Sequence, residues 1–319
     1  MIMSNEAEQP PSQQDVVSAK PTMKQKALFV AVKKGDLRKV QELIRAGVNV
    51  NFVCPPQRGY VAMTPLMEAC FEGYPDMVRL LLVNGAKVDA TTQEFGCTAL
   101  YYAVGSEKKE NIPKIVECLL ECGADPNHRI SLGWETVFVS SIRKGAVATA
   151  KLLLAAGANV NPHPEAATSA LLEVASAGDV EITKELITHG ANVNEQSKEG
   201  WTALMLADRE GHAELLELLL KNEADPNLAT KKGETALTLV AEEISSCYDE
   251  KQGNQCLVVI KLLVQAGADV NAQAPNGWTV LDLAEHNAMK DHEVYGPRWF
   301  GKGAEYLRSV GAKRVIELG

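Results

Sequence analysis

LLLAAGANVN, residues 152–161, runs a leucine stripe into Gly157 and then into a short polar string. The phrase returns as LITHGANVN at 186–194 and as LLVQAGADVN at 262–271. A glycine directly after helically spaced leucines is a stop signal, because it takes the left-handed conformation that ends a helix. Equivalent stops stand at Gly47, Gly85, Gly123, Gly190, Gly267 and Gly311, while KNEADPN at 221–227 places Glu223 in the glycine's position. Successive stops lie 38, 38, 34, 33, 33, 44 and 44 residues apart, which describes a 33-residue unit with additions. A period of that size marks a solenoid rather than a single globular core.

Each unit carries a second phrase upstream, among them MTPLMEA at 63–69, CTALYYA at 97–103, WTALMLA at 201–207 and WTVLDLA at 278–284. Thr64, Thr98, Thr136, Thr202, Thr235 and Thr279 are placed to cap a short first helix through their hydroxyls. Pro65 suits the first helical position, where no amide partner is needed. In 198–230, Ala203, Leu204 and Ala207 make a small-residue helix face, and Leu215, Leu216, Leu219 and Leu220 form a second apolar stripe.

The two phrases at fixed period resemble the ankyrin-repeat family over about residues 23–319. The resemblance implies an all-α repeat solenoid of about eight units, each a β-hairpin turn followed by two antiparallel helices. A disordered tail is expected at 1–22, a capping first unit at 23–52 and a modified last unit at 275–319, in one continuous array. Two departures stand out. The family's histidine three places after the threonine is replaced by Met67, Tyr101, Val139, Leu172, Met205, Thr238 and Asp282. Glu223, in place of the stop glycine, should strain or rearrange its turn, since a positive φ disfavours residues with a Cβ.

Counting within units locates the additions. The tip at 52–63 is five residues longer than its counterpart between Asn194 and Thr202, four extra residues fall in 105–113, and eleven each fall in 244–257 and 288–303. Surface loops tolerate such lengthening because closure entropy grows slowly with length, so the polar 244–257 segment reads as a tolerated loop. Tyr295, Trp299 and Phe300 in the last addition read first as a cap over the final apolar face and second as a contact patch.

Composition narrows the function. A net charge of −9, a pI near 5.3 and only 5% aromatic residues argue against nucleic acid as partner. Seven scattered cysteines read as reduced thiols and hence as a cytoplasmic protein. The N-terminus has no secretory pattern and no apolar run is long enough to span a membrane. Cys118, Cys122 and His128 lack a fourth ligand and a finger spacing, and no phosphate loop or catalytic motif is found. The expectation is a monomeric chain with no enzymatic activity, no cofactor and no metal.

Recognition of one or more proteins is what the resemblance implies, through the hairpin tips and the concave side of the first helices. Positions seven and eight after each threonine, with their counterparts in the first unit, supply Lys33, Lys34, Phe71, Glu72, Arg143, Lys144, Arg209, Glu210, Glu242, Glu243 and His286 as contact candidates. Their charge runs from basic to acidic along the chain, which could orient a partner of opposite polarity. Trp134, Trp201 and Trp278 at the tip bases, Arg58 and Tyr60 in the long tip, and Tyr295 and Trp299 complete the set. LVQAGADVN at 263–271 resembles the stretch on which ankyrin proteins are hydroxylated and nominates Asn271 for that modification. The other expectations are a secreted bacterial effector that engages host proteins, or an enzyme or metal site built on 286–303.

Overall fold

A computed structural model describes residues 21–55, 61–129, 136–161, 169–244, 250–290 and 300–318. Within them, each threonine of the upstream phrase ends an extended segment and starts a helix. Thr64, Thr98, Thr136, Thr202, Thr235 and Thr279 all accept a hydrogen bond from the backbone N–H three residues on, and Ser169 does the same for Leu172. Thr22, assigned to the tail on sequence, also caps a helix, in a reciprocal box with Gln25. Residues 1–20 lie outside the described residues.

The chain divides into two units, residues 1–141 with 148–157 and residues 142–147 with 158–319. The first contains α1 (Met23–Lys33), α2 (Leu37–Arg45), α3 (Pro65–Phe71), α4 (Pro75–Val83), α5 (Ala99–Gly105), α6 (Ile112–Glu121), most of α7 (Val137–Arg143) and most of α8 (Val147–Ala155). Here α1, α3 and α5 pack in series as first helices, and α2, α4 and α6 pack in series behind them.

The second unit contains α9 (Ala170–Ala177), α10 (Val180–Thr188), α11 (Ala203–Arg209), α12 (Ala213–Lys221), α13 (Ala236–Glu243), α14 (Glu250–Gln265), α15 (Val280–Lys290), α16 (Phe300–Ser309) and α17 (Val315–Leu318). The same arrangement holds, with α9, α11, α13 and α15 in one series and α10, α12, α14 and α16 in the other. Eight helix pairs are thus present among the described residues, as the repeat count requires. No strand is formed there; the hairpin turns close through single antiparallel bridges, Cys54–Met63, Arg129–Thr136, Ala229–Thr235 and Gln273–Thr279.

The cores follow from the two phrases. The residue two places after the cap is fully buried in each first helix from α3 on: Leu66, Leu100, Phe138, Leu171, Leu204, Leu237 and Leu281. Four places before each stop from Gly85 on, Leu81, Leu119, Leu153, Leu186, Leu219, Leu263 and Leu307 have no exposure at all. Each such side chain contributes about 1.5–3 kcal/mol by leaving water.

Asparagine explains the polar end of the repeating phrase. Asn51, Asn127, Asn161, Asn194 and Asn227 each donate their side-chain amide to the carbonyl of the next unit's stop residue, at 2.7–3.1 Å. In four of them, all but Asn127, the amide oxygen is described accepting a backbone N–H two residues beyond that stop. The Asp or Asn two positions earlier accepts the asparagine's own N–H and fixes the turn. The phrase therefore both ends one unit and fastens it to the following one.

Glu223 keeps the left-handed turn rather than rearranging it. Its φ is +66°, and among the described residues no other non-glycine has a positive φ. The closing hydrogen bonds match those at Gly190: Glu223 N–H to Leu220 O at 3.2 Å and Ala224 N–H to Leu219 O at 3.1 Å. A left-handed non-glycine residue costs about 1–3 kcal/mol, while glycine's extra freedom in the unfolded chain offsets about 0.4–1 kcal/mol. Glu223→Gly is expected to raise the unfolding free energy by about 1 kcal/mol, read as a higher urea midpoint with unchanged slope.

Two of the additions are more structured than loops in their described residues. Residues 250–257, expected as part of a loop, belong to α14, whose sixteen residues compare with nine in α12. The reason is a backward contact: Gln255 Nε2 donates to the carbonyl of Gly211 at 2.6 Å, so the added turns rest on the preceding unit. The 105–113 addition does likewise, with Asn111 Nδ2 on Gly73 O at 3.0 Å and the Lys108 ammonium 3.8 Å from the centre of the Tyr74 ring.

Candidate interaction site

The first helices α3, α5, α7, α9, α11 and α13 have only seven or eight residues, which makes position seven after the cap the last helical residue or its neighbour. Phe71, Arg143 and Arg209 end α3, α7 and α11, Lys33 ends α1, and Glu243 ends α13; Lys34, Glu72 and Glu210 are C-caps. The contact candidates therefore cluster at the C-terminal ends of these helices, where they turn into the second helix, instead of along a helix face.

In the first unit, Lys33, Phe71 and Glu72 line one cavity of about 160 Å³ together with Phe29, Cys54, Met63 and Glu68. Phe71 is half-buried and meets Tyr102 edge-on, with ring centres 6.3 Å apart. Glu68 is buried, and its carboxyl is pushed above the usual range by burial, against which the Lys33 ammonium at 3.5 Å acts.

In the second unit, Arg209, Glu210 and Glu243 line a larger, open cavity, about 450 Å³, bordered by the ends of α11 and α13 and the added turns of α14. Arg209 bonds Glu210 through Nε and Nη2 at 3.2 and 3.0 Å, and its guanidinium carbon lies 4.9 Å from the Trp201 ring centre. Burial raises the Glu243 carboxyl to about 7, with the Arg209 charge opposing and the Glu210 charge adding to the rise. The carboxyl of Asp208, a residue the sequence reading did not single out, borders the same cavity and is held well above its ordinary range, first by burial and then by the Glu243 charge.

The basic-to-acidic series is weaker in three dimensions than along the sequence. Lys33 meets Glu68, Arg143 meets Glu173 at 3.4 Å, and Arg209 meets Glu210, so each of these cations already faces a carboxylate of its own chain. Lys34, Lys144 and Glu242 are exposed. Trp201 and Trp278 are half-buried at the tip bases, held by backbone bonds to Ser197 and Ala274. Asn271 accepts the Lys313 N–H at 2.9 Å, the same bridging role as the other asparagines of its series. Arg58, Tyr60, Trp134, Tyr295 and Trp299 lie outside the described residues, as does the side chain of His286.

Among the described residues, no group of three or more His, Cys, Asp or Glu side chains is arranged so that it could hold a metal ion. Cys118 is buried in α6, Cys122 is exposed, and the ring Nε2 of His128 lies 2.8 Å from the Gly96 carbonyl. No described helix is long and apolar enough to cross a membrane.

A family model described as "Ankyrin repeats (3 copies)" matches residues 28–130 and 138–230. Human protein phosphatase 1 regulatory subunit 27 is 40% identical over 68 residues, 21% of this chain and 41% of its own length. The Caenorhabditis elegans ankyrin repeat and KH domain-containing protein mask-1 is 33% identical over 129 residues, 40% of this chain and 4% of that one. The putative ankyrin repeat protein FPV031 of Fowlpox virus (strain NVSL) is 31% identical over 134 residues, 42% of this chain and 37% of its own. This chain thus spans less than half the length of each of these curated relatives. Among solved structures, the ankyrin repeat domain of Bcl-3, described as a unique member of the IkappaB protein family, superposes with a TM-score of 0.59 at 26% identity, over 75% of this chain and 97% of that one.

Proposed function

We propose that this chain, which belongs to the ankyrin-repeat family, is a non-enzymatic module that binds one or more proteins and acts as a scaffold, adaptor or inhibitor. The observation that carries this reading is the convergence of contact candidates from different helices on two cavities, Lys33, Phe71 and Glu72 on one, Arg209, Glu210 and Glu243 on the other. Such sites are formed before a partner arrives, which lowers the ordering cost of association. The descriptions of two similar proteins, a phosphatase regulatory subunit and an IkappaB family member, are in keeping with action through binding. In this reading residues 23–319 form one array, monomeric and cytoplasmic, with the tail outside it.

Arg143 and Lys144 sit between the two cavities in sequence, both exposed at the end of α7. Arg143→Glu with Lys144→Glu is expected to weaken partner capture at least tenfold through loss of charge complementarity. Because Arg143 is half-exposed and its pair with Glu173 is a surface one, stability should change by less than about 1 kcal/mol. Affinity capture of the full chain from lysate, compared between the two forms by mass spectrometry, checks this. Identical captured proteins in equal amounts would remove these positions from the binding surface.

A further inference from the structure

The first helices carry three buried acids whose surroundings differ in one respect. Glu68 in α3 meets Lys33 from α1. Glu285 in α15, 5% exposed, is gripped by Arg308 from α16 and by Arg314 from the segment that leads into α17. Asp208 in α11 is 3% exposed, and both of its carboxylate oxygens are buried with no hydrogen-bond partner among the described residues. It stands six places after its capping threonine, as Glu285 does; the same position elsewhere is held by Cys70, Val104, Ile142, Ala175 and Ala241. A carboxylate in a largely apolar column, with no donor among the described residues, is costly unless something completes it.

Asp208 is buried in the protein but opens onto the 450 Å³ cavity. Three carboxylates line that cavity, Asp208, Glu210 and Glu243, against the single guanidinium of Arg209, which is already bonded to Glu210. Val240 and Val259 supply an apolar wall. The volume lies within the range of about 300–1,000 Å³ that holds a bound group, more than a bare ion needs. A long side chain with a methylene stem and a cationic head fits such a shape, the stem on the valines and the head on the acid.

We infer that this cavity receives a basic side chain, a guanidinium or an ammonium, presented by a partner protein, with Asp208 as its buried counter-charge. The assignment rests on the interaction-module reading above and names the partner chemistry it would use. The partner's side chain would do for Asp208 what Arg308 and Arg314 do for Glu285 within the chain. Charge-assisted hydrogen bonds to a carboxylate shielded from water are among the stronger polar contacts available.

The test titrates N-acetyl-arginine amide into the full chain and follows the Gly211 amide resonance at the cavity and Trp201 fluorescence beside Arg209. A saturable change is expected, absent with the uncharged citrulline analogue and lost in Asp208→Asn. Should Asp208→Asn fail to fold, Asp208→Ala replaces it, carrying the residue that Ala175 and Ala241 already place in this column. A short peptide with an internal arginine or lysine should bind about tenfold or more tightly than the capped residue, as expected of a protein source. Equal responses from wild type and variant, or no response in either, overturn the assignment. A response to spermidine with silence from the arginine and lysine probes overturns the protein source. The titration needs no partner, so its failure leaves the module reading standing, while the Arg143/Lys144 capture experiment decides that reading separately.

Discussion

Leu219→Ala lowers the unfolding free energy by about 2–5 kcal/mol, the range for a large side chain cut back inside a packed core. Leu219 has no exposure, sits four residues before the left-handed Glu223, and faces inward from α12 between α10 and α14. Its carbonyl also accepts the Ala224 N–H that closes the turn, but that bond survives the change, so the loss reports side-chain burial alone. In a repeat stack each unit is held by its neighbours, so the cavity would loosen the α10 and α14 sides together. The measurement is a urea titration followed by circular dichroism; an unaltered midpoint would contradict the packing of α12. Leu220→Ala, on a half-buried side chain one residue further along, serves as the mild control.

Asp208→Ala moves stability the other way, upward by about 1–3 kcal/mol near pH 7, because it removes a buried acid with no hydrogen-bond partner among the described residues. The charged groups facing it are Glu243, Glu210 and Arg209, with the Cys256 thiol also lining the cavity. Both raised carboxyls bind more protons folded than unfolded at intermediate pH. Stability therefore falls as pH rises above the ordinary values of 3.8 for Asp208 and 4.5 for Glu243, and for Glu243 the fall is complete above about 7. Lowering the pH from 7.5 towards 5, as order-of-magnitude bounds on that window, should stabilise the wild type more than Asp208→Ala. Thermal midpoints of both forms across that range check the sign. A destabilised variant would mean that Asp208 is satisfied within the folded chain.

Much of the architecture was legible because its signals are local. A threonine hydroxyl reaches its own helix three residues on, and a stop glycine declares its conformation where it stands, so caps, stops and the Leu219 stripe could be read without a partner. Glu223 was legible for the same reason, although rearrangement was an open alternative until its φ was known. The histidine replacement was half-legible: Thr238 and Asp282 do take over hydrogen bonding to their capping threonines, at 2.8 and 3.1 Å. Contacts between units were not. Asparagine recurs at the fourth place after six of the eight stops, with Asp89 and Val315 at the other two, yet its partner lies 29 to 40 residues away. The added turns of α14 carry Gly253 and few apolar residues, so no periodic stripe announced a helix; the hold on Gly211 comes from tertiary structure. Asp208 could have been found by reading the sixth place after each cap as a column, where it and Glu285 are the two acids among cysteine, valine, isoleucine and alanine.

The asparagine bridges have a consequence for how this chain tolerates new sequence. Asn161 spans 29 residues to Gly190 and Asn227 spans 40 to Gly267, yet both bonds measure 3.0 Å. The clasp thus ignores how much polypeptide lies between its two ends. Foreign segments grafted where one helix passes to the next would leave the spacing of successive slabs untouched, making those junctions natural ports for exchangeable cassettes.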